Sequence, residues 1–229
     1  MLLSKRFYGV SRLCCCVLSV IIILLCAGLS SSCAQAYGAV RLQVKCYMVY
    51  CTASPDGEGN GDIGTAVRAY GGAGYNFSYD GTDYVAVGCF MLKGEAQDFV
   101  QKLDVVGFSA DVKELSEHRF ELYNYSAAQN AEGYTETLKQ LYELIRELCG
   151  IAEALDYRGG EGEARSRLVV IVQDMSALLA ENEGNCFTPP LARLSVLAAD
   201  CAYRRLLYAR DVRYLQMGVA DVLFNTRLT

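Results

Sequence analysis

The chain has 229 residues, 52% of them hydrophobic and 21% charged, which excludes a disordered polymer and supplies cores for one or two small domains. Its 21 basic residues stand against 26 acidic ones, a net charge of -5. That balance argues against nonspecific binding of nucleic acid or other polyanions, which needs a basic footprint.

The first feature along the chain is an uncharged run of 17 residues from Leu13 to Leu29, preceded by Lys5, Arg6 and Arg12, with no acid before Asp56. The positive flank stays inside, so the remainder of the chain is expected to be exported and extracytoplasmic. Ser30 to Ala36 is a small-residue stretch ending Ala34-Gln35-Ala36, a cleavage pattern, and the run is at the short end for a bilayer span. Residues 1–36 are therefore either a cleaved signal peptide, leaving a secreted chain, or an N-terminal membrane anchor. Lipid attachment at Cys33 is the weaker option, since Ser30 stands where a lipobox usually has Leu. Without this segment the chain carries 18 basic against 26 acidic residues.

Residues 37 to about 45 read as a linker. Cys46–Thr52 is a strand rich in aromatic and β-compatible residues, and Ser54–Asp62 is a glycine-rich loop opening onto a helix over Ile63–Tyr70. Tyr75–Tyr79 alternates as a half-buried strand does, and Asp80-Gly81 predicts a tight turn to a partner strand over Asp83–Phe90. Ala96, Phe99, Val100 and Leu103 keep helical spacing in a segment closed by Gly107, and Phe108–Leu115 makes a fourth strand. The fold class is α+β: a β-α-β-β-α-β split βαβ unit over residues 44–117, with one antiparallel sheet, both helices on one face, and the other face open. Either Met48, Tyr50 and Thr52 or Tyr47, Val49 and Cys51 line that open face.

Beyond about residue 126 strands disappear, and residues 127–229 read as a three-helix region. Leu138 to Leu155 gives the first stripe and Leu168 to Leu179 the second. A third helix starts at Thr188-Pro189-Pro190 and runs to about Leu223, with a break expected near Gly218.

Motifs for chemistry are sparse. Gly59-Asn60-Gly61-Asp62-Ile63-Gly64 fits a dinucleotide pattern but lacks the repeated βα units of a doubly wound sheet, so a loop is the better reading. Asp56, Glu58, Asn60 and Gly61 match part of a calcium loop, yet Val67 stands where its bidentate Glu belongs. His118, the single histidine, sits in what reads as a solvated turn, with no nucleophile in an identifiable motif. Cys46, Cys51, Cys89, Cys149, Cys186 and Cys201 show no zinc spacing, and their spacing fixes no disulfide pairing. No enzyme, metal or cofactor is expected. Of 16 tyrosines, Tyr47, Tyr50, Tyr75, Tyr79 and Tyr84 crowd into three strands, where they either pack or offer a stacking face for sugar rings.

Residues 84 to 110 carry a resemblance. Tyr84-Val85-x-Val87-Gly88-x-Phe90, then Ala96, Phe99, Lys102 and Leu103, then Gly107-Phe108-x-Ala110, is similar to the SPOR domain of bacterial cell-envelope proteins, with Tyr47 to Tyr75 as a degenerate first half. The resemblance spans about residues 44–117. It implies a module that binds peptidoglycan glycan strands on its open sheet face, in a protein whose only membrane contact is its N-terminal segment. The family often has Gln where this chain has Ala86, so Tyr50, Thr52, Tyr75 and Tyr84 are expected to make the contact around Ala86. The alternative is an interaction protein whose helical region docks an envelope partner and binds no glycan.

Overall fold

A computed structural model describes residues 37–52, 60–105, 107–156 and 160–229. The N-terminal segment 1–36, and Ser54–Gly59 with most of the glycine-rich and calcium-like patterns, lie outside the described residues.

The strands are β1 (Gly38–Thr52), β2 (Tyr75–Tyr79), β3 (Thr82–Phe90) and β4 (Ala110–Leu122). The helices are α1 (Asn60–Ala69), α2 (Lys93–Val105), α3 (Tyr125–Gln129), α4 (Ala131–Asp156), α5 (Glu161–Glu181), α6 (Thr188–Tyr203) and α7 (Ala209–Asn225). The sheet has the order β2-β3-β1-β4 with every neighbouring pair antiparallel. This is the split βαβ arrangement: α1 and α2 are the two crossovers and β2–β3 the hairpin between them. Asp80 and Gly81 both have positive φ (52° and 71°), which lets a two-residue turn join Tyr79 to its partner Thr82.

Several boundaries differ from expectation. The segment before residue 46 is strand: Val40, Leu42 and Val44 alternate with Arg41, Gln43 and Lys45, and β1 pairs with β4 from Gly38↔Leu122 onward. His118 lies within β4 and not in a turn, because that strand continues to Leu122 against the extended start of β1. Asn60, Gly61 and Gly64 belong to α1 itself. Gly64 packs closely there, since a Cβ would stand 3.2 Å from the Gly74 carbonyl oxygen. The third helix is two helices, and the break falls at Arg204–Tyr208, not at Gly218. Gly218 instead lets α7 approach α6, its missing Cβ leaving room for Leu194.

The sheet is covered on both sides. On one face Val49, Cys51, Val85, Val87 and Phe90 pack with Val67 of α1 and with Ala96, Phe99 and Leu103 of α2. On the other, Cys46, Met48, Phe77, Tyr84, Ala86, Cys89 and Leu115 join a core shared with α4 and α7, and α5 and α6 close the outside of that layer. Residues 37–229 form one compact unit, so the sheet layer (38–122) and the helices that follow it (125–225) share a core, and the expected division at residues 117–127 is not a boundary between separate cores.

Polar groups fasten the two layers. Beyond Ala86, which pairs with the first residue of β2, the outer edge of β3 has no strand beside it among the described residues. Ala73 N–H takes the Val87 carbonyl (2.7 Å), and the fully buried Gln216 of α7 takes both groups of Cys89. Gln216 Oε1 accepts from Cys89 N–H at 3.0 Å, and Nε2 donates to the Cys89 carbonyl at 3.0 Å and to that of Ile145 in α4 at 3.2 Å. A side-chain amide thus replaces the missing strand and satisfies groups that burial would otherwise penalise.

Candidate functional site

Of the residues expected to meet a glycan, Tyr50, Tyr75, Tyr84 and Ala86 lie at the junction of the layers. Ala86 is fully buried and Tyr84 is 8% exposed, its ring edge-on to the half-buried Tyr50 at 4.7 Å. Tyr75 packs edge-on against Tyr214 of α7 at 5.1 Å, and its hydroxyl donates to Asp221 Oδ2 at 3.0 Å. Thr52 ends β1 opposite Tyr84. The structure brings Tyr50, Tyr84 and Ala86 together on one face, but that face is the one α4 and α7 cover; the expectation of an open sheet is corrected. Tyr142 of α4 reaches the strand directly, donating to the Lys45 carbonyl at 2.7 Å. Burial raises the pKa of Tyr50, with Asp111 adding to the effect, and raises that of Tyr75, with Asp221 next.

Burial also pushes up the thiols of Cys51, Cys89, Cys149 and Cys201. Cys89 is held up first by its contact with Cys46 and then by burial, while Cys149 reaches about 11 and Cys201 about 12. Thiols so held are protonated at neutral pH and poor nucleophiles.

With both faces of the sheet covered, the two recesses of interest lie beside the helices. A groove of about 710 Å³ runs between α4 and α5, its floor formed by Leu144, Ile171 and Leu178 and its rim by ion pairs such as Arg167–Glu147 at 2.8 Å.

The second recess, about 600 Å³, lies between α1 and the α6–α7 turn and is lined by four arginines: Arg68, Arg204, Arg205 and Arg210. Its architecture follows from two polar devices. Arg165 of α5 donates to the carbonyls of Ala202 (3.2 Å), Arg204 (2.7 Å) and Arg205 (3.1 Å), satisfying acceptors where α6 ends. Asp211, 6% exposed, accepts from Tyr208 N–H at 3.3 Å and caps α7. The same carboxylate pairs with Arg68 (3.1 Å) and Arg204 (2.9 Å).

Arg204 also pairs with Asp200. Arg210 donates to the Arg68 carbonyl at 3.2 Å and lies over the Tyr208 ring at 4.5 Å. Among the described residues neither Arg205 nor Arg210 has a carboxylate partner. Four arginines against Asp200 and Asp211 leave a local surplus of two positive charges on a chain whose net charge is -5.

Sequence reasoning placed this segment inside a long helix and missed the site. Its signal was the stretch Tyr203-Arg204-Arg205-Leu206-Leu207-Tyr208-Ala209-Arg210, where Leu206-Leu207 breaks the spacing of three and four carried by Leu194, Leu197 and Cys201. Comparison with protein-family models, curated proteins and solved structures finds no match. The SPOR resemblance therefore rests on the motif residues between Tyr84 and Ala110 and their degenerate first half alone.

Proposed function

We propose that this chain is an exported, non-catalytic interaction protein whose helical layer, and not its sheet, carries the contact surface. The observation that supports this most is the occupation of the sheet's second face: α4 and α7 pack against the face that carries Tyr75, Tyr84 and Ala86, and Gln216 ties them to β3. The four-arginine recess at the α6–α7 turn supplies a concave, charged surface for a partner.

A second reading, peptidoglycan binding by a SPOR-like module, is favoured by the strand order β2-β3-β1-β4 with both crossover helices on one face. It requires the α4–α7 layer to leave the sheet. Co-sedimentation with purified sacculi, before and after an amidase strips the stem peptides, separates the two. The first reading expects no pelleting in either case, together with a photo-crosslinked adduct from a probe at Leu206 and none from one at Leu92. Pelleting that rises with stripping would overturn it in favour of the second.

A further inference from the structure

We propose that the turn between α6 and α7 docks on an anionic lipid surface, its phosphate headgroups engaging Arg205 and Arg210. The inference deepens the reading of the helical layer as the contact surface and rests on it. It adds a membrane contact beyond the N-terminal segment.

Two observations carry it. The first is charge. Arg68 and Arg204 are committed to Asp211, whereas Arg205 and Arg210 line the same recess with no carboxylate of their own among the described residues. A guanidinium presents a planar fork matched to phosphate oxygens and is weakly hydrated, so it transfers readily to a headgroup layer.

The second is apolar exposure at the same place. Tyr203 (70%), Leu206 (58%) and Tyr208 (46%) protrude within six residues of one another, interleaved with those arginines. Leu206 and Tyr208 line the recess itself. A soluble phosphate compound would satisfy the guanidinium groups and leave the leucine and tyrosines in water. A membrane interface accepts both, since tyrosine rings partition to the headgroup level and basic side chains to the anionic surface. If the Leu13–Leu29 run remains as an anchor, tethering raises the effective concentration at the bilayer, so weak docking suffices.

The chain contains no tryptophan, so Leu206→Trp gives a single reporter within the recess. The full chain carrying this substitution is incorporated into vesicles of phosphatidylcholine alone or with phosphatidylglycerol, and its emission is recorded. The proposal expects a blue shift in the anionic vesicles only, reversed by high salt. Adding Arg205→Gln and Arg210→Gln should weaken docking roughly 30-fold, from about a kcal/mol for each cation at an anionic surface. Far-UV circular dichroism and the melting temperature confirm that the variants fold.

An equal shift in both vesicle types, or none in either, overturns the proposal. So does a response to inorganic phosphate without one to anionic vesicles, which would assign the recess to a soluble ligand. Pelleting with stripped sacculi would instead overturn the reading beneath it, and the tryptophan response is measured independently of that assay.

Discussion

Replacing Gln216 with methionine tests whether the helical layer is a structural part of the sheet. Methionine keeps the length of the side chain and removes its amide, so little cavity is created and the loss is confined to hydrogen bonding. Cys89 N–H and the Cys89 carbonyl, each bonded to Gln216 at 3.0 Å, would be left unpartnered beneath α7. The Ile145 carbonyl also loses its bond to Gln216 but keeps its place in the ladder of α4. At about 1–3 kcal/mol for each buried unsatisfied group, less the gain from burying an apolar side chain, the expected loss is about 2–5 kcal/mol. For a unit of this size that lowers the melting temperature by roughly 5–15 °C.

Urea unfolding followed by circular dichroism gives the free energy, and amide exchange at Cys89 reports the local bond. One transition, shifted in midpoint with unchanged slope, is expected, because the sheet and helices share a core. A loss below about 0.5 kcal/mol with Cys89 still protected would refute the argument that this amide stands in for a strand. Separate transitions for sheet and helices would refute the shared core.

Gly74→Ala should cost more than about 3 kcal/mol, since φ is +61° and the new Cβ would lie 2.3 Å from the Gly64 carbonyl oxygen; calorimetry checks it. Asp211→Ala should cost about 2 kcal/mol, combining a lost cap with two ion pairs that are discounted because Arg68 and Arg204 are 33% and 41% exposed. Asp211→Asn keeps the cap acceptor and should cost about half as much, so equal losses in urea titrations would count against the partition. Tyr84→Ala should destabilise by about 2–4 kcal/mol through the cavity it leaves against Tyr50, and a melting temperature within 2 °C or so of the parent would contradict its burial. Burial holds Cys149 at about 11 and Cys201 at about 12 against an ordinary 9.0, so the folded state keeps protons that the unfolded chain releases first. That contribution is intact below the unfolded value and is lost as pH rises towards 11–12. The urea midpoint should therefore fall between about pH 8 and about pH 10, and a midpoint that held or rose would be the contrary result.

The split βαβ unit was legible because its signals are local. Asp80-Gly81 demands positive φ, Gly107 (φ 88°) ends α2 where the periodicity stops, and alternation marks β2. The helical stripes of α4 and α5 were legible for the same reason. The closed sheet was harder, since strand periodicity says which residues share a face and nothing of what covers it. A clue was nevertheless present. Tyr84 to Phe90 is buried at every position, and its unbroken apolar run is how a strand covered on both faces reads. A strand with one wet face would have alternated. The break between α6 and α7 carried no glycine or proline. It depends on Arg165 reaching across from α5 and on Asp211 capping from within α7, both contacts that only the fold assembles.

The tyrosines show how a compositional signal changes meaning once partners are known. Tyr75, Tyr79, Tyr134 and Tyr142 each place a ring in or against the core while the hydroxyl finds a fixed acceptor: Asp221, the Ser116 carbonyl, the Thr229 carbonyl and the Lys45 carbonyl. A side chain with an apolar body and a polar tip suits the seam between a sheet and a helical layer, where backbone acceptors are at hand. The strand tyrosines Tyr47, Tyr50, Tyr75, Tyr79 and Tyr84 all lie in or against a core, so their density is accounted for by packing, and a binding role is to be sought among tyrosines that protrude. Tyr203 and Tyr208 do so, and both stand beside the arginines of the α6–α7 turn. Substitution at Tyr84 or Tyr75 disturbs the core, whereas substitution at Arg205 or Leu206 alters the surface with the core intact.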